Sequence, residues 1–196
     1  MPSFRLVTRS GLLKRKYQFS TSVSRNMSYI GAIDEGTSST RFVIADKTGR
    51  IIASKQRELT QHHPVAGYSE HDAVEIWSLT KSCMEDCLTE NSLSSKDLAA
   101  IGITNQRETT VVWNKHTGEP YNHAIVWNDN RTTSICERLM GNKESPFHSG
   151  TDDINMYKKT TGLPLAPYFS ATKLLYLLET VPGLRKDAEE GNALFG

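Results

Sequence analysis

The sequence predicts an α/β fold that opens as an antiparallel meander and continues in α/β units, and three observations carry that expectation. Apolar segments of strand length recur at Tyr29 to Asp34, Arg41 to Asp46 and Ile51 to Leu59, separated by turn residues. A helical apolar period follows Asp72, with Val74, Ile76, Trp77, Leu79 and Met84 recurring to about Asn91. Two later apolar runs, Ala99 to Asn105 and Ala124 to Trp127, each stop abruptly at polar residues, which is where an α/β sheet presents its ligands.

The class agrees with the composition. With 196 residues, 37% hydrophobic and 23% charged, the chain can bury a core and is neither fibrous nor disordered. No apolar run approaches the roughly 18 residues of a membrane span. Cys83, Cys87 and Cys136 are odd in number and have no His or Cys partner at ligand spacing, so they are expected to be reduced structural thiols. His62, His63 and His71 likewise have no partner set and are expected to be surface imidazoles.

Charge divides the chain in two. Residues 1–27 hold Arg5, Arg9, Lys14, Arg15, Lys16 and Arg25 and no acid, which leaves Ser28 to Gly196 at −5 within a net charge of +1. A mildly acidic body argues against nucleic acid as partner. The leader is basic, rich in Ser and free of Asp and Glu, the composition of a mitochondrial transit peptide, and too broken by Arg, Ser and Gly for a secretory h-region. A start at Met27 would instead give a leaderless cytoplasmic form. The folded domain is expected from residue 28 to 196.

The strongest chemical signal is the first hairpin, YIGAIDEGTSSTRFVIAD. Gly36 permits a tight turn and close backbone approach to a ligand. Thr37, Ser38 and Ser39 offer hydroxyls and N–H groups for phosphate oxygens, and Arg41 adds a planar cation. Asp34, at the end of the first strand, offers hard oxygens to Mg²⁺ or its waters.

Downstream, the capping signal Asp72…Glu75 starts the helix, in which Trp77 is expected to be core. Arg107 and Glu108, after the Ala99 strand, can read a vicinal diol by complementary hydrogen bonds. Strands are expected at Thr109–Asn114 and Ala124–Trp127, and Trp127 can lay an apolar ring against a carbon chain. A helix from Arg131 to Met140, an exposed loop from Gly141 to Asp153 and an irregular segment from Thr160 to Pro167 follow. Two more helices, around Leu174–Leu178 and Arg185–Glu190, lead to a strand starting at Ala193. A strand beginning so close to the last residue leads to the expectation that the sequence is a fragment.

D-x-G-T-S-S-x-R resembles the first phosphate hairpin of the sugar kinase, hexokinase, Hsp70 and actin superfamily. With GYSEHDAVEIW, NQRETTVVW, AIVWNDNRT, TGLPLAPYFSATK and NALFG in order, the chain resembles the glycerol kinases among the FGGY carbohydrate kinases. The resemblance implies a two-domain actin-like ATPase (ribonuclease H-like) fold, of which this is an incomplete first domain, and ATP and Mg²⁺ as cofactors. It implies transfer of the γ-phosphoryl of ATP to glycerol. Thr37, Ser38, Ser39 and Arg41 would contact nucleotide phosphates, Asp34 the metal, and Arg107, Glu108, Trp127 and Tyr168 glycerol. A homo-oligomer of the full-length form is compatible with it. Two departures stand out. Glu35 replaces the family's usual Gln, and no Gly-Asp-Gln-Gln segment, which carries the family's catalytic base, occurs in these residues. The chain alone is therefore expected to be inactive. Alternatives are an FGGY kinase for a pentose, erythritol or dihydroxyacetone, and a truncated isoform acting as a non-catalytic module at mitochondria.

Overall fold

A computed structural model describes residues 29–142, 144 and 154–196. The leader, residues 1–27, and most of the expected loop from Gly141 to Asp153 lie outside the described residues.

Strands β1 (Tyr29–Glu35), β2 (Ser39–Asp46) and β3 (Ile51–Glu58) form the expected meander, with Asp34 opposite Arg41 and Glu35 opposite Thr40. The chain then makes a two-residue strand, β4 (Glu70–His71), and helix α1 (Ala73–Glu90). Asp72 caps α1, its side chain accepting from the N–H groups of Val74 and Glu75. Strand β5 (Leu98–Thr104) returns beside β1 in parallel, so the sheet order is β3-β2-β1-β5.

Alternation along the strands sends Ile33, Phe42, Ile44 and Ala53 to one face, where they pack on α1 through Cys83 and Cys87. A Cβ on Gly31 would lie 2.7 Å from the Phe42 ring, so only glycine lets that ring cross the sheet. The helix corrects an expectation. Its buried stripe is Thr80, Cys83 and Cys87, at helical spacing, and Trp77 is 61% exposed. Phe42 and Ile44 already fill the space under the helix, so small side chains face the sheet and Trp77, rotated off that stripe, meets solvent.

Beyond β5 the sequence breaks into shorter pieces than the periodicity suggests. The expected strand at Thr109–Asn114 divides, since Thr110 exchanges hydrogen bonds with Ile125 while β6 (Val112–Asn114) pairs with β8 (Ala193–Phe195). Strand β7 (Ala124–Ile125) ends two residues before Trp127 and pairs with β4. Helices α2 (Thr133–Met140), α3 (Lys158–Thr161), α4 (Ser170–Thr180) and α5 (Leu184–Glu189) follow, with α3 standing where an irregular segment was expected to begin. Val112, Ile125, Leu177 and Leu184 make a second core that fixes α4 behind β6 and β7. Among the described residues no helix is long and apolar enough to cross a membrane.

Candidate functional site

Because β1 and β5 run parallel, their carboxyl ends deliver the hairpin tip and the Asn105–Arg107 turn to the same edge of the sheet. Between them lies an open pocket of 390 Å³. Asp34, Glu35, Gly36 and Thr37 form one wall, Asn105, Gln106 and Arg107 the floor, and Trp127 and Tyr168 the other wall.

The hairpin tip is held from several sides. The Gly36 N–H donates to the Ser39 carbonyl at 2.9 Å, and a Cβ on Gly36 would stand 3.1 Å from that same oxygen. Gln61 Nε2 donates to the Thr37 carbonyl at 3.0 Å, while Gln61 Oε1 is 2.9 Å from Nε2 of His71. His71 is fully buried rather than a surface imidazole, and burial lowers its pKa, so it is neutral at pH 7. With Nε2–H donating to Gln61, the ring holds the tip through one relay.

The expected phosphate ligands do not all face the pocket. Thr37 does, and its Oγ1 accepts from the Trp127 indole N–H at 2.9 Å, a direct link between the two walls. Ser38 is exposed at the tip, and the Ser39 hydroxyl accepts from Gln56 Nε2. Arg41 lies on the sheet face away from α1, where Nη2 meets Asp34 Oδ2 at 2.6 Å. With side chains 47% and 42% exposed, that ion pair is worth at most about 1 kcal/mol, so a phosphate or cation can exchange with it. The Glu35 carboxylate turns under the hairpin, where Oε1 accepts from the hydroxyls of Thr40 and Thr80 and Oε2 is buried without a partner.

Arg107 and Glu108 separate. Glu108 has φ of 65°, a left-handed conformation a non-glycine residue adopts at a cost. That twist keeps Arg107 in the pocket and turns the Glu108 carboxylate toward α4, where Oε2 accepts from the Ser170 N–H at 2.9 Å and its hydroxyl at 2.8 Å. Glu108 also lines a neighbouring, mostly apolar cavity of 460 Å³. Trp127 and Tyr168 meet edge to face with ring centroids 6.0 Å apart, and both line the pocket.

Behind this wall is a buried ion cluster that pattern reading missed. Arg131, its side chain 3% exposed, grips Asp129 with Nε and Nη2 at 2.9 and 2.8 Å, reaches Glu70 at 2.8 Å and stacks 4.0 Å over the Tyr68 ring. Asp129 also accepts the Ser69 N–H at 2.7 Å, so the cluster fixes the strand end that carries Trp127. The only sequence signal was the adjacency of Asn128-Asp129-Asn130-Arg131 to that strand. Lys173, on α4, is a second buried ion the sequence did not mark.

Among the described residues no group of three or more His, Cys, Asp or Glu side chains can hold a metal ion. A Mg²⁺ ion that keeps most of its waters and shares phosphate oxygens needs only one or two carboxylates, which Asp34 suits.

The model for the "FGGY family of carbohydrate kinases, N-terminal domain" matches residues 29–195. The chain belongs to the FGGY carbohydrate kinase family. It is 49% identical over 168 residues to a glycerol kinase of Shewanella frigidimarina and 50% identical to glycerol kinase 1 of Streptomyces coelicolor. Each match covers 86% of this chain and 32% or 31% of the relative, so the chain spans about a third of the length of these curated relatives. The crystal structure of Plasmodium falciparum glycerol kinase with ADP superposes with a TM-score of 0.76 at 30% identity, over 86% of this chain and 32% of that one. The FGGY N-terminal domain thus has the mixed α/β, actin-like ATPase architecture.

Proposed function

We propose that this chain is the substrate-gathering first part of a glycerol kinase, which transfers the γ-phosphoryl of MgATP to a terminal hydroxyl of glycerol to give sn-glycerol 3-phosphate. One observation carries the reading: the hairpin tip with Asp34 and Thr37 and the polyol wall with Arg107, Trp127 and Tyr168 line the same pocket. The likeness to glycerol kinases at 49% and 50% identity supports the choice of polyol.

Phosphoryl transfer asks a protein mainly to position two reactants and neutralise charge. Here the Gly36–Ser39 turn and the Thr37 hydroxyl receive the phosphate end, with Arg41 exchanging Asp34 for a phosphate oxygen. The Asp34 carboxylate, once released, would hold a hydrated Mg²⁺, which supplies charge neutralisation on the phosphates. On the acceptor side Arg107 donates from its fork. Glu108, held on Ser170 and facing the neighbouring cavity, lies outside the lining of this pocket, so Arg107 carries the polar contact to glycerol here. The edges of Trp127 and Tyr168 cover the carbons and exclude water from one side.

The resemblance assigns the general base to a Gly-Asp-Gln-Gln segment that does not occur in these 196 residues, so a polypeptide of this sequence alone is expected to bind without turning over. A coupled assay on that polypeptide giving glycerol-dependent ADP at ordinary kinase rates would refute this. In the intact protein, Arg107→Ala should raise the glycerol KM at least tenfold with little change in the ATP KM. An unchanged glycerol KM, or better turnover on a pentose or erythritol, would overturn the assignment. Mitochondrial import through residues 1–27 is proposed on composition, with cytoplasmic residence for a product starting at Met27. Fusing those 27 residues to a fluorescent protein tests it, and diffuse cytosolic signal counts against it.

A further inference from the structure

We propose that Lys173 is a positioning residue of the polyol site, fixing the Tyr168 ring against Trp127 from inside the domain by holding the main chain of the 162–169 segment. The inference rests on the polyol reading of the pocket.

Lys173 is fully buried one turn into α4. Its Nζ donates to the carbonyl of Pro167 at 2.8 Å and to that of Tyr168 at 2.5 Å. Among the described residues no carboxylate lies within ion-pair distance of it. A buried ammonium without a direct counter-ion stabilises a fold less than an apolar side chain of the same volume, so packing alone does not explain a lysine here. What the ammonium supplies is several donors converging on adjacent carbonyls, which no apolar side chain offers. Burial pulls its pKa down to about 8, opposed by the fields of Asp129, Glu108 and Cys136.

The segment it holds has few other ties. Between Gly162, at φ of 77°, and the start of α4, the main-chain hydrogen bonds run from the Leu165 N–H to Ile154 and from the Phe169 N–H to Ala166. Pro164 and Pro167 have no N–H to add. The Tyr168 ring packs edge to face on both Phe169 and Trp127, so a shift of its carbonyl would move the wall of the pocket. The same helical turn also holds the residue next to Arg107, since the Ser170 N–H and hydroxyl carry Glu108 Oε2. The first turn of α4 therefore sets both Tyr168 and Glu108, Ser170 from its end and Lys173 from within.

The test compares Lys173→Met, which keeps volume and loses the donors, with Lys173→Gln, which keeps donors without charge, in the intact protein. Lys173→Met should raise the glycerol KM about tenfold or more, leave the ATP KM within about twofold, and leave the thermal midpoint equal or higher, with Lys173→Gln recovering part of the glycerol KM. Amide hydrogen exchange without ligand should quicken at Tyr168, Phe169 and Ser170 and stay unchanged at Leu177. Glycerol KM unchanged in Lys173→Met, glycerol and ATP KM rising together with a falling midpoint, or unaltered exchange at Tyr168 to Ser170 would each overturn the inference. A wild-type protein that glycerol does not saturate defeats the polyol reading instead, and the exchange data still decide whether Lys173 holds the segment. If Lys173→Met does not fold, Lys173→Gln is read by the same criteria.

Discussion

One wall of the pocket comes from one continuous hairpin, Tyr29–Asp46, whose strands pair in register through to Glu35 opposite Thr40. The rest of the pocket lining is assembled from Arg107, Trp127 and Tyr168, which sit on three separate turns and come together through α4, β7 and the buried Arg131–Asp129–Glu70 cluster. A wall made by local pairing is specified by residues a few positions apart. A wall made by distant segments depends on buried groups that touch no ligand. The two should therefore respond differently to mutation, and the Trp127–Thr37 hydrogen bond is the seam along which that difference can be measured.

The largest expected effect breaks the assembled wall. Asp129→Ala leaves the buried Arg131 guanidinium with Glu70 alone and frees the Ser69 N–H, which should cost about 3–5 kcal/mol in urea unfolding. The hairpin core around Phe42, packed on α1, should keep its exchange protection longest. Equal loss of protection in both regions would show that they are one cooperative unit.

A pH experiment probes the hairpin wall in turn. His71 has a folded pKa lowered by burial, so below its unfolded value of about 6.5 the unfolded chain binds more protons than the folded one. The stability that His71 contributes is present above about pH 6.5 and lost as pH falls from there toward the folded value, at up to about 1.4 kcal/mol per pH unit. In His71→Gln the extra slope should vanish. A slope identical to wild type would remove His71 from the support of the tip.

Cutting the seam should give a smaller, shared effect. Trp127→Phe keeps an aromatic, though smaller, side chain and deletes the indole N–H, leaving the Thr37 hydroxyl without its donor, and should weaken both glycerol and nucleotide binding by about 0.5–1.5 kcal/mol. Calorimetric titration showing only the glycerol term affected would mean that the walls act independently. The smallest effect belongs to neither wall: Trp77→Ser, at a position 61% exposed, should change the stability of the 196-residue polypeptide by no more than about 0.5 kcal/mol in urea titration.

These contrasts follow what could be read in advance. The meander, the Asp72 cap and the strand expected over Ala99–Asn105 are local features, written in alternation, capping and turn residues, and all appear at nearly the expected bounds. Thr37 and Asp34 fall in the pocket because hairpin pairing carries them there. The strand at Thr109–Asn114 was overestimated because its two halves find different partners, Ile125 and β8, far apart in sequence. Trp77 was misplaced because period marks a face without saying how much room lies under it. His71 was misread because the isolated ring carries no sign of the loop that buries it.

The sequence by itself determined the first hairpin, the meander with its Asp72-capped helix and the strand that follows, and the family, since these depend on residues near one another along the chain. Tertiary structure alone decided that Arg107 and Glu108 part company, that Trp127 reaches Thr37, and that Lys173 and Arg131 lie buried behind the Trp127–Tyr168 side of the pocket. Left-handed twist, burial and the pairing of ions arise only when distant segments exclude water from one another, and no local pattern records which segments those will be.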